Sequence, residues 1–253
     1  VTRIYQNLSD WRSARGGADY RDRSVGFVPT MGALHAGHMA LIGRARAEND
    51  RVVLSIFVNP TQFDNAGDLS RYPRTLEQDL AMVGDRVDAI LAPGEGELYP
   101  DNFRYRVAEH DLSRRWEGAR RPGHFEGVLT VVLKLLNLVQ ADRAYFGEKD
   151  WQQLQLVTGM ARAFFLKTEI VACPTVRDTD GLALSSRNVL LSPPARRLAG
   201  RFPDILRSAP DSRTAVADLE RAGIAVDYVE ESDGVRLGAV RVEGVRLIDN
   251  VRR

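Results

Sequence analysis

Along the first two thirds of the chain, short apolar, β-branched runs alternate with segments whose apolar positions recur every three or four residues. Val25 to Val28, Val52 to Val58, Val87 to Leu91, Ala144 to Phe146 and Thr168 to Val176 read as strands. Segments from about His38 to Glu48, Thr75 to Val83, Gly127 to Val139, and onward from Asp150 read as helices. Strand and helix in alternation predict an α/β fold, a parallel sheet flanked by helices. The count is five core strands, with an edge strand expected near Tyr105 to Val107. The segment from Ser113 to Gly123 carries Gly, Pro and Arg and reads as irregular.

The pattern breaks at Arg177-Asp178-Thr179-Asp180-Gly181, and Ser192-Pro193-Pro194 reads as a helix start with proline in its first turn. A domain boundary is therefore placed between residues 177 and 178. The tail offers two helical patterns and then Val226 to Val229, Leu237 to Val242 and Val245 to Ile248, which suit a smaller C-terminal α+β domain. No internal repeat and no low-complexity tract interrupts the chain.

Composition narrows the class. With 44% hydrophobic and 27% charged residues over 253 positions, the chain is in the ordinary globular range. Its 35 basic and 34 acidic residues give a net charge of +1, so no broad field favours nucleic acid or an anionic membrane, and anion recognition must be local. The single cysteine, Cys173, has no internal partner and lies in an apolar run, which reads as a buried strand. The first residues lack a signal-peptide pattern and no apolar run reaches 18 residues, so the expectation is a cytoplasmic protein.

Four segments carry candidate chemistry. In Val28-Pro29-Thr30-Met31-Gly32-Ala33-Leu34-His35-Ala36-Gly37-His38, a strand runs through a glycine turn into a helix, with His35 and His38 expected three residues apart on one helical face. Helix N-terminal amides attract phosphate, and imidazoles beside them can donate to oxygens that gain charge in nucleotidyl transfer. Gly37 lets a nucleotide approach the backbone. A capped helix is the plainer reading of two such histidines. Zinc binding would want a Glu where Ala36 stands, plus a third ligand.

In Ser55-Ile56-Phe57-Val58-Asn59-Pro60-Thr61-Gln62-Phe63 a strand enters a loop, where open α/β folds place ligands. Asn59 and Gln62 offer amides for a hydroxyl and a carboxylate; an ordinary Asn-Pro turn is the alternative. Phe146-Gly147-Glu148-Lys149-Asp150-Trp151-Gln152-Gln153 is again strand, glycine and helix start. There Lys149 can neutralise phosphate, and Asp150 can cap the helix or take a ribose hydroxyl. Gly181-Leu182-Ala183-Leu184-Ser185-Ser186-Arg187-Asn188 brings two hydroxyls and a guanidinium onto a loop, a set that suits a triphosphate and equally an exposed linker.

Taken together and in order, these motifs resemble the pantothenate synthetase family, among the nucleotidyltransferases that share a His-x-Gly-His signature. The resemblance runs from about Val25 to Asn188 and extends to Arg71-Tyr72-Pro73-Arg74-Thr75, Arg121-Pro122-Gly123-His124-Phe125 and Arg246-Leu247-Ile248-Asp249-Asn250. No phosphate-binding Gly-x-x-x-x-Gly-Lys-Ser/Thr loop, Gly-x-Gly-x-x-Gly fingerprint or Gly-x-Ser-x-Gly elbow competes. The resemblance implies a Rossmann-like sheet and an ATP-dependent ligase that condenses pantoate with β-alanine through a pantoyl adenylate.

It further implies catalytic roles for His35, His38, Lys149, Ser185, Ser186 and Arg187. ATP would be bound by Pro29, Thr30, Met31, Gly37, Gly147, Asp150 and Val176, and pantoate by Asn59, Gln62 and Gln153. Mg2+ would accompany ATP without dedicated protein ligands, with Asp79 either an outer-shell carboxylate or, more ordinarily, a solvated helix charge. No residue is assigned as general base. The cluster Arg114, Arg115, Arg120, Arg121 could meet pantoate or pyrophosphate but more ordinarily reads as surface, although Arg121 belongs to a segment shared with the family. The family also implies a homodimer. Residues 178–253 are expected to form its lid, shortened from Asp227 to Val242. Rival readings are another His-x-Gly-His enzyme that adenylates a different acid, and a catalytically weakened nucleotide-binding protein.

Overall fold

The computed structural model describes residues 2–253. Nine strands, β1 Arg3–Tyr5, β2 Val25–Thr30, β3 Arg51–Ile56, β4 Ala89–Leu91, β5 Arg143–Gly147, β6 Glu169–Cys173, β7 Ala225–Ser232, β8 Val235–Val242 and β9 Val245–Arg252, are described. The helices are α1 Leu8–Arg15, α2 Ala36–Glu48, α3 Ala66–Arg71, α4 Leu76–Val83, α5 Glu95–Leu98, α6 Trp116–Arg120, α7 His124–Val139, α8 Trp151–Ala163, α9 Pro193–Ala199, α10 Arg201–Ser208 and α11 Ser212–Arg221. The chain divides into two compact units. The first holds the residues up to Leu34, His38–Gly147 and Gln152–Cys173; the second holds His35–Gly37, Glu148–Trp151 and Pro174–Arg253. The expected boundary at 177/178 thus falls four residues inside the second unit's long stretch, and that unit also takes two short pieces from the motifs themselves.

The first unit is a six-stranded sheet in the order β1-β4-β3-β2-β5-β6, parallel throughout. Alternate residues of β2 serve opposite faces, as the pleat requires. Val25 and Phe27 pack with Trp11, Leu129, Val132 and Leu136 on one side, and Val28 packs with Ile42, Leu54 and Tyr145 on the other. Helix α7 is apolar over nearly all its surface because both α1 and the sheet cover it. Trp11 fixes α1 through edge-on contacts with Tyr5 and Tyr20, and its indole N–H donates to the Leu138 carbonyl at 2.8 Å.

The sixth strand corrects the expectation. It is β1, in register with β4 (Arg3 opposite Ala89, Tyr5 opposite Leu91), and not the segment from Tyr105 to Val107. Around the latter the backbone donors go to side chains instead: Tyr105 N to Asp101 Oδ2 and Val107 N to Thr130 Oγ1, each at 2.9 Å. Strand β6 stops at Cys173, three residues short of Val176, where Pro174 lacks the N–H a ladder needs. Cys173 is buried, as its apolar surroundings predict.

The second unit packs α9, α10 and α11 with an antiparallel meander β7-β8-β9 around Phe202, Leu206, Leu219, Val240 and Leu247. It has three helices where two patterns are legible, because Gly200 closes α9 and opens α10 without a visible break in polarity. Ser192 caps α9 ahead of Pro193 as expected. The two hairpin turns are Asp233-Gly234 and Glu243-Gly244, all four residues at positive φ, the conformation that continues the twist of antiparallel strands. No helix among the described residues is long and apolar enough to cross a membrane.

Candidate active site

The site is built from strand ends. Strand β2 ends at Thr30 and the chain turns through Gly32 (φ 80°) and Ala33 (φ 50°). Ala33 at positive φ is strained, and Asp79 holds it there. From the first turn of α4 its buried carboxylate accepts Ala33 N at 3.0 Å and Leu34 N at 2.8 Å. Asp79 is therefore not a solvated helix charge; its carboxylate clamps this turn. Thr30 is also committed, donating to Ser55 O at 2.7 Å and accepting Gly32 N at 3.2 Å. Pro29 lies in the strand and the half-buried Met31 follows it.

Helix α2 begins at Ala36, so His35 precedes it and is not on its face, contrary to the expected pairing on one face. The His35 imidazole caps the helix, its Nδ1 accepting Gly37 N at 3.1 Å. That bond leaves the proton on Nε2. Burial, and then the charge of Lys149, lower the His35 pKa to about 4, with Asp150 opposing, so the ring is neutral near pH 7. Gly37 has a reason of its own: a Cβ there would lie 2.8 Å from His35 Cε1 and 2.9 Å from Nδ1. His38, half-buried, stands on the first turn of α2.

The loop after β3 separates two amides that sequence alone treats alike. Asn59 is consumed: its Nδ2 donates to Gln62 Oε1 (3.0 Å) and Gly127 O (3.1 Å), while its Oδ1 accepts from Tyr99 OH (2.9 Å) and Thr61 Oγ1 (3.0 Å). Gln62 keeps its Nε2 donors unspent among the described residues. Its backbone carbonyl contacts His124 Nδ1 at 2.8 Å and accepts from Arg121 Nη2 at 3.3 Å. Gly127 lets α7 approach, since a Cβ there would collide with Thr61 O and lie 2.7 Å from Gln62 N. His124, Arg121 and Gly127 thus belong to the support of this site. The segment Arg121 to Phe125 was the sequence signal for Arg121 and His124, and the surface reading of Arg121 is corrected, since its guanidinium bonds to the Gln62 carbonyl. Arg115, which pairs with Asp111 at 2.5 Å, and Arg114, beside His110, stay on the surface as expected.

The same division recurs on α8. Gln152 is buried, its Oε1 accepting Glu117 N at 3.0 Å and its Nε2 donating to Leu112 O and Arg115 O at 2.7 and 2.8 Å. The neighbouring Gln153 is half-buried and its amide bonds to no described residue.

In the second unit, Lys149 and Asp150 lie in a short 3-10 turn after Gly147, the last residue of β5, their charged groups 3.8 Å apart. Asn250 of β9 donates to the carbonyls of Glu148 and Lys149. Val176 O accepts Leu184 N at 3.0 Å, closing the narrow loop that leads to Ser185, Ser186 and Arg187. Ser185 Oγ accepts Arg187 N at 3.2 Å, and Asn188 Nδ2 donates to Ala183 O at 3.1 Å.

His35, Gly37, Lys149, Asp150, Val176, Ser185, Ser186 and Arg187 therefore fall in the second unit, and Pro29, Thr30, Met31, His38, Asn59, Gln62, Gly147 and Gln153 in the first. Among the described residues no three His, Cys, Asp or Glu side chains converge as a metal site.

The sheet order reverses at β2, whose neighbours are β3 and β5, and the loops that carry His35 and Lys149 leave the C-terminal ends of β2 and β5. Open α/β sheets place ligands at such a reversal, and an imidazole-capped helix start beside a lysine suits phosphate. Fold and motifs define a Rossmann-like nucleotide-handling enzyme. A family model described as pantoate-beta-alanine ligase matches residues 2–252. A pantothenate synthetase of Bdellovibrio bacteriovorus is 51% identical over 100% of this chain and 98% of its own, and one of Coxiella burnetii is 50% identical over 99% and 97%.

Among solved structures, a pantoate-beta-alanine ligase of Francisella tularensis, complexed with beta-gamma ATP and beta-alanine, superposes with a TM-score of 0.94 at 39% identity, covering 100% of this chain and 98% of that one. A pantothenate synthetase of Thermus thermophilus gives 0.89 at 43% identity over 99% of both chains. The chain belongs to the pantoate-beta-alanine ligase family and is an enzyme of the ligase class.

Proposed function

We propose that this chain condenses pantoate with β-alanine at the expense of ATP, through a pantoyl adenylate. The observation that carries the reading is the contrast within two pairs of amides. Asn59 and Gln152 are consumed by the protein, whereas Gln62 and Gln153 keep donors for a ligand. Two neutral amides suit an acid with hydroxyl groups because they orient its carboxylate without neutralising the nucleophile.

In the first step a pantoate carboxylate oxygen forms a bond to the α-phosphorus of ATP, and the bond to the bridging oxygen breaks, releasing pyrophosphate. His35, as a neutral Nε2–H donor, together with His38, Lys149, Ser185, Ser186 and Arg187, stabilises charge on the phosphate oxygens, at roughly 3 to 4 kcal/mol for a well-placed donor. In the second, the uncharged amine of β-alanine attacks the acyl carbon, AMP leaves with the bridging oxygen, and the amine proton passes to solvent. Pro29, Thr30, Met31, Gly37, Gly147, Asp150 and Val176 line the nucleotide side in this reading, with Thr30 acting through the turn it holds. Asn59 acts by setting Gln62. Mg2+ bound with ATP would draw its ligands chiefly from phosphate and water and would supply charge neutralisation to the triphosphate.

The Francisella complex supports both ATP and β-alanine as substrates. A homodimer in the cytoplasm is the assembly and location implied by the family; a solution mass near twice 28.2 kDa supports the dimer and a mass near 28.2 kDa contradicts it. The reaction is tested by pyrophosphate release from Mg-ATP with pantoate alone, followed by AMP and amide formation on adding β-alanine. Release that does not depend on pantoate, or that requires another acid, overturns the proposal.

A further inference from the structure

The last strand carries a segment, Asp249-Asn250, whose two side chains both bond to loops of the second unit. Asn250 spends its Nδ2 donors on two consecutive carbonyls, Glu148 O at 2.8 Å and Lys149 O at 3.0 Å. Two residues on, on the same face of β9, Arg252 Nη2 donates to the Glu148 carboxylate at 3.1 Å. Asp249, 2% exposed, takes Arg177 in a two-pronged pair at 2.6 and 2.8 Å. The same guanidinium donates to Gly181 O at 3.0 Å and Asn250 O at 3.3 Å, at the root of the loop that leads to Ser185 and Arg187. One strand is thereby tied to the turn bearing Lys149 and to the base of the serine loop.

We propose that Asp249 and Asn250 are positioning residues for adenylation, setting the Lys149 turn and the Ser185–Arg187 loop in fixed register for the triphosphate. Neither touches a reacting atom. A 3-10 turn of three residues has too few bonds of its own to fix a lysine, and only an amide at this reach can donate to two carbonyls at once. An aspartate at 250 would turn acceptors toward acceptors. The inference rests on the phosphate role of Lys149 argued above.

The test is a double-mutant cycle on pantoate-dependent pyrophosphate release with Asn250→Ala, Lys149→Ala and both together. Asn250→Ala should lower kcat/KM for ATP by about tenfold to a hundredfold, as a misplaced catalytic group does. It should leave KM for pantoate within about twofold, because Gln62 and Gln153 are bonded to neither 148–150 nor 249–250. On the Lys149→Ala background the same change should cost less than about twofold. Asn250→Asp, which keeps shape and volume, should match or exceed the loss, and decides the case if the alanine variant does not fold. Additive losses, equal rises in both KM values, or undiminished ATP kinetics in Asn250→Asp overturn the proposal. Wild-type rates in Lys149→Ala would instead overturn the reading of Lys149 itself.

Discussion

His35 Nδ1 accepts the backbone N–H of Gly37 at 3.1 Å, which makes a side chain the cap of α2 and settles which imidazole nitrogen can donate. A ring so engaged works as a neutral donor through Nε2, and burial keeps it neutral. The chemistry asked of it is hydrogen bonding to a phosphate oxygen, which requires no change of charge during the step.

The pH dependence follows. His35 has a pKa of about 4 in the folded chain, against an ordinary 6.5. Between these values the unfolded chain binds a proton that the folded chain refuses, so the stability contributed by neutral His35 is full above pH 6.5 and is lost as pH falls to about 4. The His35 ring resonances should titrate near pH 4. Thermal melting of the wild type should fall more steeply over this window than that of His35→Gln. A ring midpoint near 6.5 would contradict the assigned tautomer and burial.

Gly37→Ala places a methyl 2.8 Å from His35 Cε1, and the ring must turn away. Pyrophosphate release should drop by about a hundredfold, the scale of a displaced catalytic group, while circular dichroism stays that of the wild type. Wild-type turnover in Gly37→Ala would mean that the cap is dispensable.

Gln152 and Gln153 should separate cleanly. Gln152→Ala strands the buried N–H of Glu117, at roughly 1 to 3 kcal/mol for a group left unsatisfied, removes two further bonds to carbonyls that keep backbone partners, and should lower Tm by several degrees. Gln153→Ala should leave Tm within about one degree and lower kcat/KM for pantoate by at least about tenfold, the loss of a group that binds a charged ligand. Steady-state kinetics and melting on the two variants check both halves; the reverse pattern would exchange their roles.

Asp79→Asn tests the clamp. Its amide turns a donor toward Ala33 N or Leu34 N, so both Tm and the adenylation rate should fall. Raising Mg2+ should restore neither. Recovery at high Mg2+ would return Asp79 to the metal.

What the sequence made legible was set by length and periodicity. The α7 pattern and the apolar β2 and β3 could hardly be mistaken, whereas β1 has three residues, two of them exposed, and shows no alternation to read. Three of the four motif segments were visible because each joins a strand end to a turn, and the fourth, Gly181 to Asn188, because its two serines and an arginine stand together on a loop. The division of labour inside them was not. Asn59 and Gln62, or Gln152 and Gln153, are equivalent as letters, and only their hydrogen-bond partners separate a support from a ligand group. Asp79 lies 45 positions from Leu34 and Asn250 lies 101 from Lys149, separations over which no local pattern points from one residue to its partner.

The central claim is an acyl adenylate, and oxygen transfer tests it most directly. With pantoate labelled with oxygen-18 in its carboxylate, a complete turnover with ATP and β-alanine should place one labelled oxygen in the phosphate of AMP, because the bridging oxygen stays with phosphorus when the amine attacks carbon. Unlabelled AMP, or label in inorganic phosphate with ADP as product, would contradict it.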